Sequence, residues 1–358
     1  MSVEMAVPAA RKSLPDSLLG VYYEHRLFFI VLVVYVFFGY MVLAFIERNG
    51  FAHLFSRFMI FAFCAVIYLG FLLMLKGARQ LARVVAEVIE RRTGIARVRG
   101  KSLGPPLSSR QVAGYMVIMV SLTFFLSTFS NLKQAIPLIH PFSWDELFMK
   151  MDYYLHGWMH PWALLHPILG IPVVTKLIDS LYVSWFGFLF FFLTGFGLNS
   201  RRRLRSRYCI SFILTWIITG SIMAILLSSA GPCYYGKINP GANPFLPLME
   251  YLRSVHDDRF LFAVKFQDGL WLANTANKNL IFGGVSAMPS VHVATAALFA
   301  CAAWSIHRLL GYFFIIYAVL VQIGSVHLGW HYAIDGYIGT LIAVAIWRVS
   351  DRIYPPET

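Results

Sequence analysis

Two short segments near the C-terminal end carry side chains suited to one kind of chemistry. They are Met288-Pro289-Ser290-Val291-His292 and His331-Tyr332-Ala333-Ile334-Asp335. Each places ionisable residues at the mouth of a strongly apolar stretch. Such groups are costly to keep at a membrane boundary, which makes them functional candidates. Two histidines and a carboxylate are the parts needed to move a phosphoryl group through a covalent intermediate. His331 and Asp335 stand four apart, on one face of a helix. The carboxylate can therefore hold the imidazole in one tautomer and stabilise its cation. The same pair could instead be a polar contact pinning two helices. Pro289 suits the first turn of a helix, where its missing N–H costs nothing. The amides of Ser290 and Val291 would then point out of the helix start and form an anion site. Ser290 adds a hydroxyl donor, and His292 lies in the first turn. Taken alone, this segment also fits a plain Pro-Ser helix start with an incidental histidine.

These segments need a scaffold, and composition says which. The chain has 358 residues, 58% hydrophobic and 13% charged, with a mean hydropathy of +0.66. That excludes an ordinary soluble domain and predicts an all-α integral membrane protein. Eight stretches are long enough to cross about 30 Å of hydrocarbon: 27–46, 56–75, 112–131, 173–197, 208–229, 287–305, 310–328 and 334–350. No short apolar core precedes the first of them, so it is expected to act as an uncleaved insertion signal. The division expected is an N-terminal two-span region, 1–111, a six-span core, 112–350, and a short tail, 351–358.

The net charge of +13 does not point to nucleic acid, because of where it lies. Residues 76–111 hold nine Lys or Arg against Glu87 and Glu90, and 201–207 hold five Arg. By the positive-inside rule both loops are cytoplasmic, as are the N-terminus and Arg308, Arg348 and Arg352. These basic runs read as topology signals and lipid-headgroup contacts. Residues 76–92 have the spacing of an amphipathic interfacial helix. Gly100 to Pro106 reads as a hinge. Residues 143–166, with Trp144, Trp158 and Trp162, suggest a second interfacial segment on the opposite side. This topology puts both chemical segments at one depth on the non-cytoplasmic face. Cys233 alone of the four cysteines falls in an outer loop, so no external disulfide within the chain is expected.

A phosphate also needs a cation. The outer loop 230–286 offers Lys237, Arg253, Arg259, Lys265 and Lys278, of which Lys237, following Ala230-Gly231-Pro232-Cys233-Tyr234-Tyr235-Gly236, is best placed.

Pro289-Ser290-Val291-His292, followed after one further span by His331-x3-Asp335, resembles the type 2 phosphatidic acid phosphatase superfamily. Its pattern is a Lys/Arg-bearing first motif, then Pro-Ser-Gly-His, then Ser-Arg-x5-His-x3-Asp. The likeness covers about 112–350, which the resemblance makes a six-helix catalytic bundle. Val291 replaces the usual Gly, and Ser325 stands where the family has Arg. The first motif is not matched in full, so Lys237 is placed by analogy. His327, one turn before His331, has no clear counterpart; it could contact phosphate or simply pack. Ala230-Gly231-Pro232, Met288–Ala294 and Gly329–Asp335 look like the branch containing inositol phosphorylceramide synthases and their bacterial relatives.

The resemblance implies a lipid phosphotransferase or phosphatase that works without metal or other cofactor. His331, oriented by Asp335, would attack phosphorus, and His292 would protonate the leaving alkoxide. Ser290, Val291, Lys237 and His327 would hold the phosphate. The substrate would be a phospholipid or a polyprenyl phosphate, in a multi-pass protein of a bacterial inner membrane with its site on the periplasmic side. Two other readings use the same residues. One is a metal-dependent hydrolase with His327, His331, Asp335 and His292 as ligands, although Gly329 interrupts the helix this needs. The other is a lipid or solute transporter, which would place ionisable groups in mid-span rather than at span ends.

Overall fold

The computed structural model describes residues 20–48, 53–60, isolated positions from 62 to 74, and 109–355. Regular structure among the described residues is helical throughout, without a strand. Among the described residues six helices are long and apolar enough to cross a membrane. They are α1 (Arg26–Phe45), α2 (Ser109–Ile139), α5 (Pro172–Gly197), α6 (Arg202–Ile217, continuing to Leu226), α12 (Arg308–His327) and α13 (Ala333–Ile353). The chain is an integral, multi-pass membrane protein. Residues 54–60 are helical and include the first residues of the expected second span, 56–75. The rest of that span is described only in part, and residues 76–92 and 100–106 lie outside the described residues.

The element at the centre of the bundle is not one of the long helices. Helix α11 (Val291–Trp304) has 14 residues, about 21 Å at 1.5 Å per residue. It is shorter than the expected span 287–305 because its start is set locally. Ser290 is the N-cap, and its hydroxyl accepts the Val293 amide at 3.3 Å. The preceding chain is irregular and buried from Val285 to Ser290, Ser286 excepted. Non-helical backbone is tolerated at such depth only when protein or a cavity surrounds it. Alanines at 294, 296, 297, 300, 302 and 303 let neighbouring helices close on α11. Against Gly339 of α13 the approach is so close that a β-carbon would lie 2.8 Å from the Ser290 carbonyl.

The stretch expected to be interfacial folds as two short helices, α3 (Asp145–Leu155) and α4 (Pro161–Leu169). The long outer loop holds α9 (Leu246–Arg259) and α10 (Phe262–Thr275), after the single turns α7 (Met223–Leu226) and α8 (Tyr235–Ile238). Buried aspartates fasten these pieces by accepting backbone amides. Asp145 takes Ala230 and Gly231 at 2.9 and 2.8 Å, and also the Tyr332 hydroxyl at 2.9 Å. Asp179 takes Phe262 and Ala263 at 2.8 and 2.9 Å, and so caps α10.

At the opposite end, the basic loop 201–207 differs from the expected headgroup contact. Arg205 and Arg207 are buried. Arg205 pairs with Glu24, and Arg207 stacks on Trp347 at 4.1 Å while bonding the Trp347 carbonyl. Their charge is used inside the protein to tie the segment just before α1 to α6 and α13.

Candidate active site

The two chemical segments meet directly. The Ser290 amide donates to the Asp335 carbonyl at 3.0 Å. This bond joins the start of α11 to the first turn of α13. His331 precedes α13, its Nδ1 lying 3.2 Å from Asp335 Oδ2. The same oxygen accepts the Tyr332 amide at 3.0 Å. A carboxylate in that position selects the tautomer with the proton on Nδ1 and leaves the Nε2 lone pair free. Burial, with the charge of Lys133 adding to it, pushes the His331 imidazole down to about 3; a backbone hydrogen bond with Ala287 works the other way. The ring is neutral at ordinary pH, the state in which it is a nucleophile.

His292 is held by aromatic faces. Its ring stacks on Tyr182 at 5.1 Å and lies 4.2 Å from Trp185. The Trp185 indole also donates to the His292 carbonyl at 3.0 Å, so α5 fixes both the backbone and the ring. His292 and His331 line one cavity of about 660 Å³.

That cavity has two unlike ends. Around the histidines it is polar, with Lys133, Ser286 and the backbone of Gly283 and Gly284. Farther along α2 and α5 it is apolar, lined by Leu126, Phe129, Leu189 and Phe190, while Phe186 packs on His292 itself at 6.0 Å. Leu126 is seven residues from Lys133, so the apolar arm reaches about 10 Å along the helix. A phosphate with a hydrocarbon tail matches this shape and polarity.

Of the expected loop cations, Lys265 lines the cavity from α10 and is exposed; a second cation there is Lys133, on α2. Spacing and motif did not indicate it, because span three was drawn to end at 131. The available signal was a single lysine at the end of an otherwise uncharged apolar run. Ser286, in the loop before Met288, was also unremarked. Lys237, by contrast, does not line the cavity. It is exposed, with its ammonium over the rings of Trp271 and Tyr234 at 4.9 and 5.7 Å. Packing of the outer loop turned it away.

Other expected phosphate contacts are also redistributed. Ser290 is fully buried, with its hydroxyl used as the N-cap and its amide by Asp335. The amides free at the helix start are those of Val291 and His292, one step later than expected, because Pro289 lies before the cap rather than inside the helix. His327 is buried elsewhere: its Nε2 lies 2.9 Å from the Thr175 hydroxyl, which also bonds Tyr251. His327 does not line the cavity with His292 and His331. Among the described residues no three His, Cys, Asp or Glu side chains group to hold a metal ion. Ser325, in place of the family arginine, is buried and turns its hydroxyl to the Gln322 carbonyl at 2.7 Å. Its own carbonyl accepts the Trp330 and His331 amides at 2.9 and 3.1 Å.

The site is a buried His–Asp pair and a second histidine beside an amphiphilic cavity, set among apolar helices. The PAP2 superfamily matches residues 146–349, more than half of the chain, and the protein belongs to that superfamily. Membership places it broadly among membrane lipid phosphatases and phosphotransferases. Helix α2, which supplies Lys133, lies ahead of the matched stretch. No curated protein and no solved structure shows a match to the chain.

Proposed function

We propose that the protein transfers a phosphoryl group, bare or carrying a head group, from a lipid through a phosphohistidine on His331. The observation that carries this reading is the cavity itself. A neutral, carboxylate-oriented histidine, a second histidine, a lysine and an open helix start all face its polar end.

In the first half-reaction the phosphate rests against the amides of Val291 and His292, with Lys133 neutralising its charge. His331 Nε2 attacks phosphorus in line. The bond from phosphorus to the lipid oxygen breaks, and His292 gives its proton to the departing alkoxide. Asp335 stabilises the positive charge that develops on His331. In the second half His292, now a base, takes a proton from an acceptor hydroxyl. The acceptor oxygen attacks, the P–N bond breaks and His331 is restored. Water as acceptor makes the enzyme a phosphatase, and an alcohol makes it a transferase. The Ala230-Gly231-Pro232 and Gly329–Asp335 patterns support the alcohol. The distribution of Lys and Arg supports a cytoplasmic N-terminus and a site on the outer face of a bacterial inner membrane.

The test is incubation of purified protein with phospholipids and polyprenyl phosphates, with and without alcohol acceptors. Acid-labile label on the wild type, absent from His331→Ala, is the expected result. Near-normal turnover by His331→Ala would sink the mechanism. Free phosphate identifies a hydrolase, and a new phosphodiester lipid a transferase.

A further inference from the structure

We propose that Arg57 is a positioning residue for the cavity loop, and that the N-terminal region acts as a strut holding residues 277–286 in place. The consequence for turnover rests on the phosphoryl-transfer reading above; the mechanical role does not.

Arg57 follows α1, far outside the stretch matched by the family, and its exposure is 0%. Its whole guanidinium is engaged. Nε donates to the Ile281 carbonyl at 2.6 Å, and Nη2 to the Leu280 carbonyl at 3.2 Å. On its other side Nη1 donates to the Ser127 hydroxyl at 2.8 Å. Nη2 also reaches the Ser130 hydroxyl and Asn131 Oδ1 at 3.1 and 3.3 Å. One planar fork therefore joins the outer loop to the turn of α2 just before Lys133.

The loop needs such a partner. Residues 278–290 lack regular structure, so their carbonyls find no ladder of their own, and leaving them unpaired at membrane depth is costly. Gln134 supplies a second clamp, accepting the Leu280 amide at 2.6 Å and donating to the Leu280 carbonyl at 3.2 Å. Beyond the fork, the loop lies directly on the backbone of Lys133. Gly284 has φ +102°, and a β-carbon there would sit 2.7 Å from the Lys133 carbonyl carbon. Gly283, Gly284 and Ser286 then line the cavity beside His331. Two neighbours of Arg57 grip the same loop nearer its start. Arg48 donates to Asn279 Oδ1 at 2.7 Å and also bonds Asn277, and His53 lies 3.0 Å from the Asn279 carbonyl. Three side chains from residues 48–57 thus hold one edge of the phosphate end. Arginine suits the central position because its donors form a rigid fork, which a lysine ammonium cannot copy.

The experiment compares full-length wild type, Arg57→Gln and Arg57→Lys in detergent. It measures kcat and KM on the lipid phosphate turned over, and amide hydrogen exchange across the chain. In Arg57→Gln, exchange at 280–286 is expected to rise about tenfold or more while α11 and α13 stay unchanged. Turnover (kcat) is expected to fall about tenfold with KM within about threefold, since orientation rather than affinity is lost. Arg57→Lys recovers only part of either effect. Unchanged exchange at 280–286, or an equal rise in α11 and α13, overturns the strut. A loosened loop with normal kcat overturns its catalytic consequence. If Arg57→Gln does not fold, Arg57→Lys is read by the same criteria. If the wild type turns over no lipid phosphate, the phosphoryl-transfer reading fails, and the exchange data still decide the strut.

Discussion

Helices α11 and α13 begin side by side, and their first turns are used in opposite ways. At α13 the free amides are taken by carboxylates. Asp152, brought from α3, accepts Ala333 and Ile334 at 2.6 and 3.0 Å. Asp335, within the turn, accepts Tyr332. At α11 the only side-chain cap is the Ser290 hydroxyl on Val293, and the Val291 and His292 amides are left open beside the cavity. Both starts favour an anion by the same dipole. One has been filled by the protein's own carboxylates and serves structure, presenting His331. In the proposed reaction the other receives the phosphate. A helix start is therefore not a site by itself; what a distant segment brings to it decides.

Substitutions at the two helix starts should differ widely in cost. The largest loss is expected from His331→Ala, which removes the attacking atom presented by the filled start. We predict a fall of about 10³-fold or more in turnover, with thermal stability in detergent little changed. Lys133→Met removes the cation facing the open start and should cost about 10²-fold, measured as kcat/KM. A loss confined to low salt would instead mark Lys133 as a distant electrostatic contributor.

Asp152→Asn tests the filled start. Burial foremost, with Asp335 adding to it, raises the Asp152 carboxyl to about 7. The amides of Ala333 and Ile334 oppose this but do not win. The folded value lies above the unfolded one, so its contribution to stability is complete below about pH 4. It is lost as pH rises through about 7. Melting temperature in detergent should decline across that window, and the decline should flatten in Asp152→Asn. A wild-type curve rising from pH 4 to 7 would contradict this assignment. Ser290→Ala removes the cap of the open start and should cost about 1 kcal/mol of stability. Lys237→Ala, on an exposed lysine outside the cavity, should change turnover by less than about twofold; a larger loss would return that residue to the phosphate site.

Much of the helical scaffold was legible because apolar run length is a local property. The expected span 173–197 and α5, Pro172–Gly197, differ by a single residue. Span 112–131 fell short of α2 by eight residues at its outer end. Gln134 and the serines before it read as polar, yet they are satisfied inside the protein. The same truncation hid Lys133. Lys237 was favoured because it followed a glycine-bearing loop, but that loop is folded by Asp145 and by Trp271, neither adjacent in the chain. His327 shared a helical face with His331 on paper. The turn at Leu328–Trp330 separates them, and Thr175 holds His327 apart.

The membrane class, the superfamily motifs and the His331–Asp335 pairing are local features of the chain. All three depend on run length or on a spacing of a few residues. The tertiary structure alone decided which cation faces the cavity, which helix start stays open and what holds the loop between them. Those outcomes come from Asp152, Lys133 and Arg57, which lie more than 100 residues from the segments they act on. No local pattern records a contact made across that distance by packing.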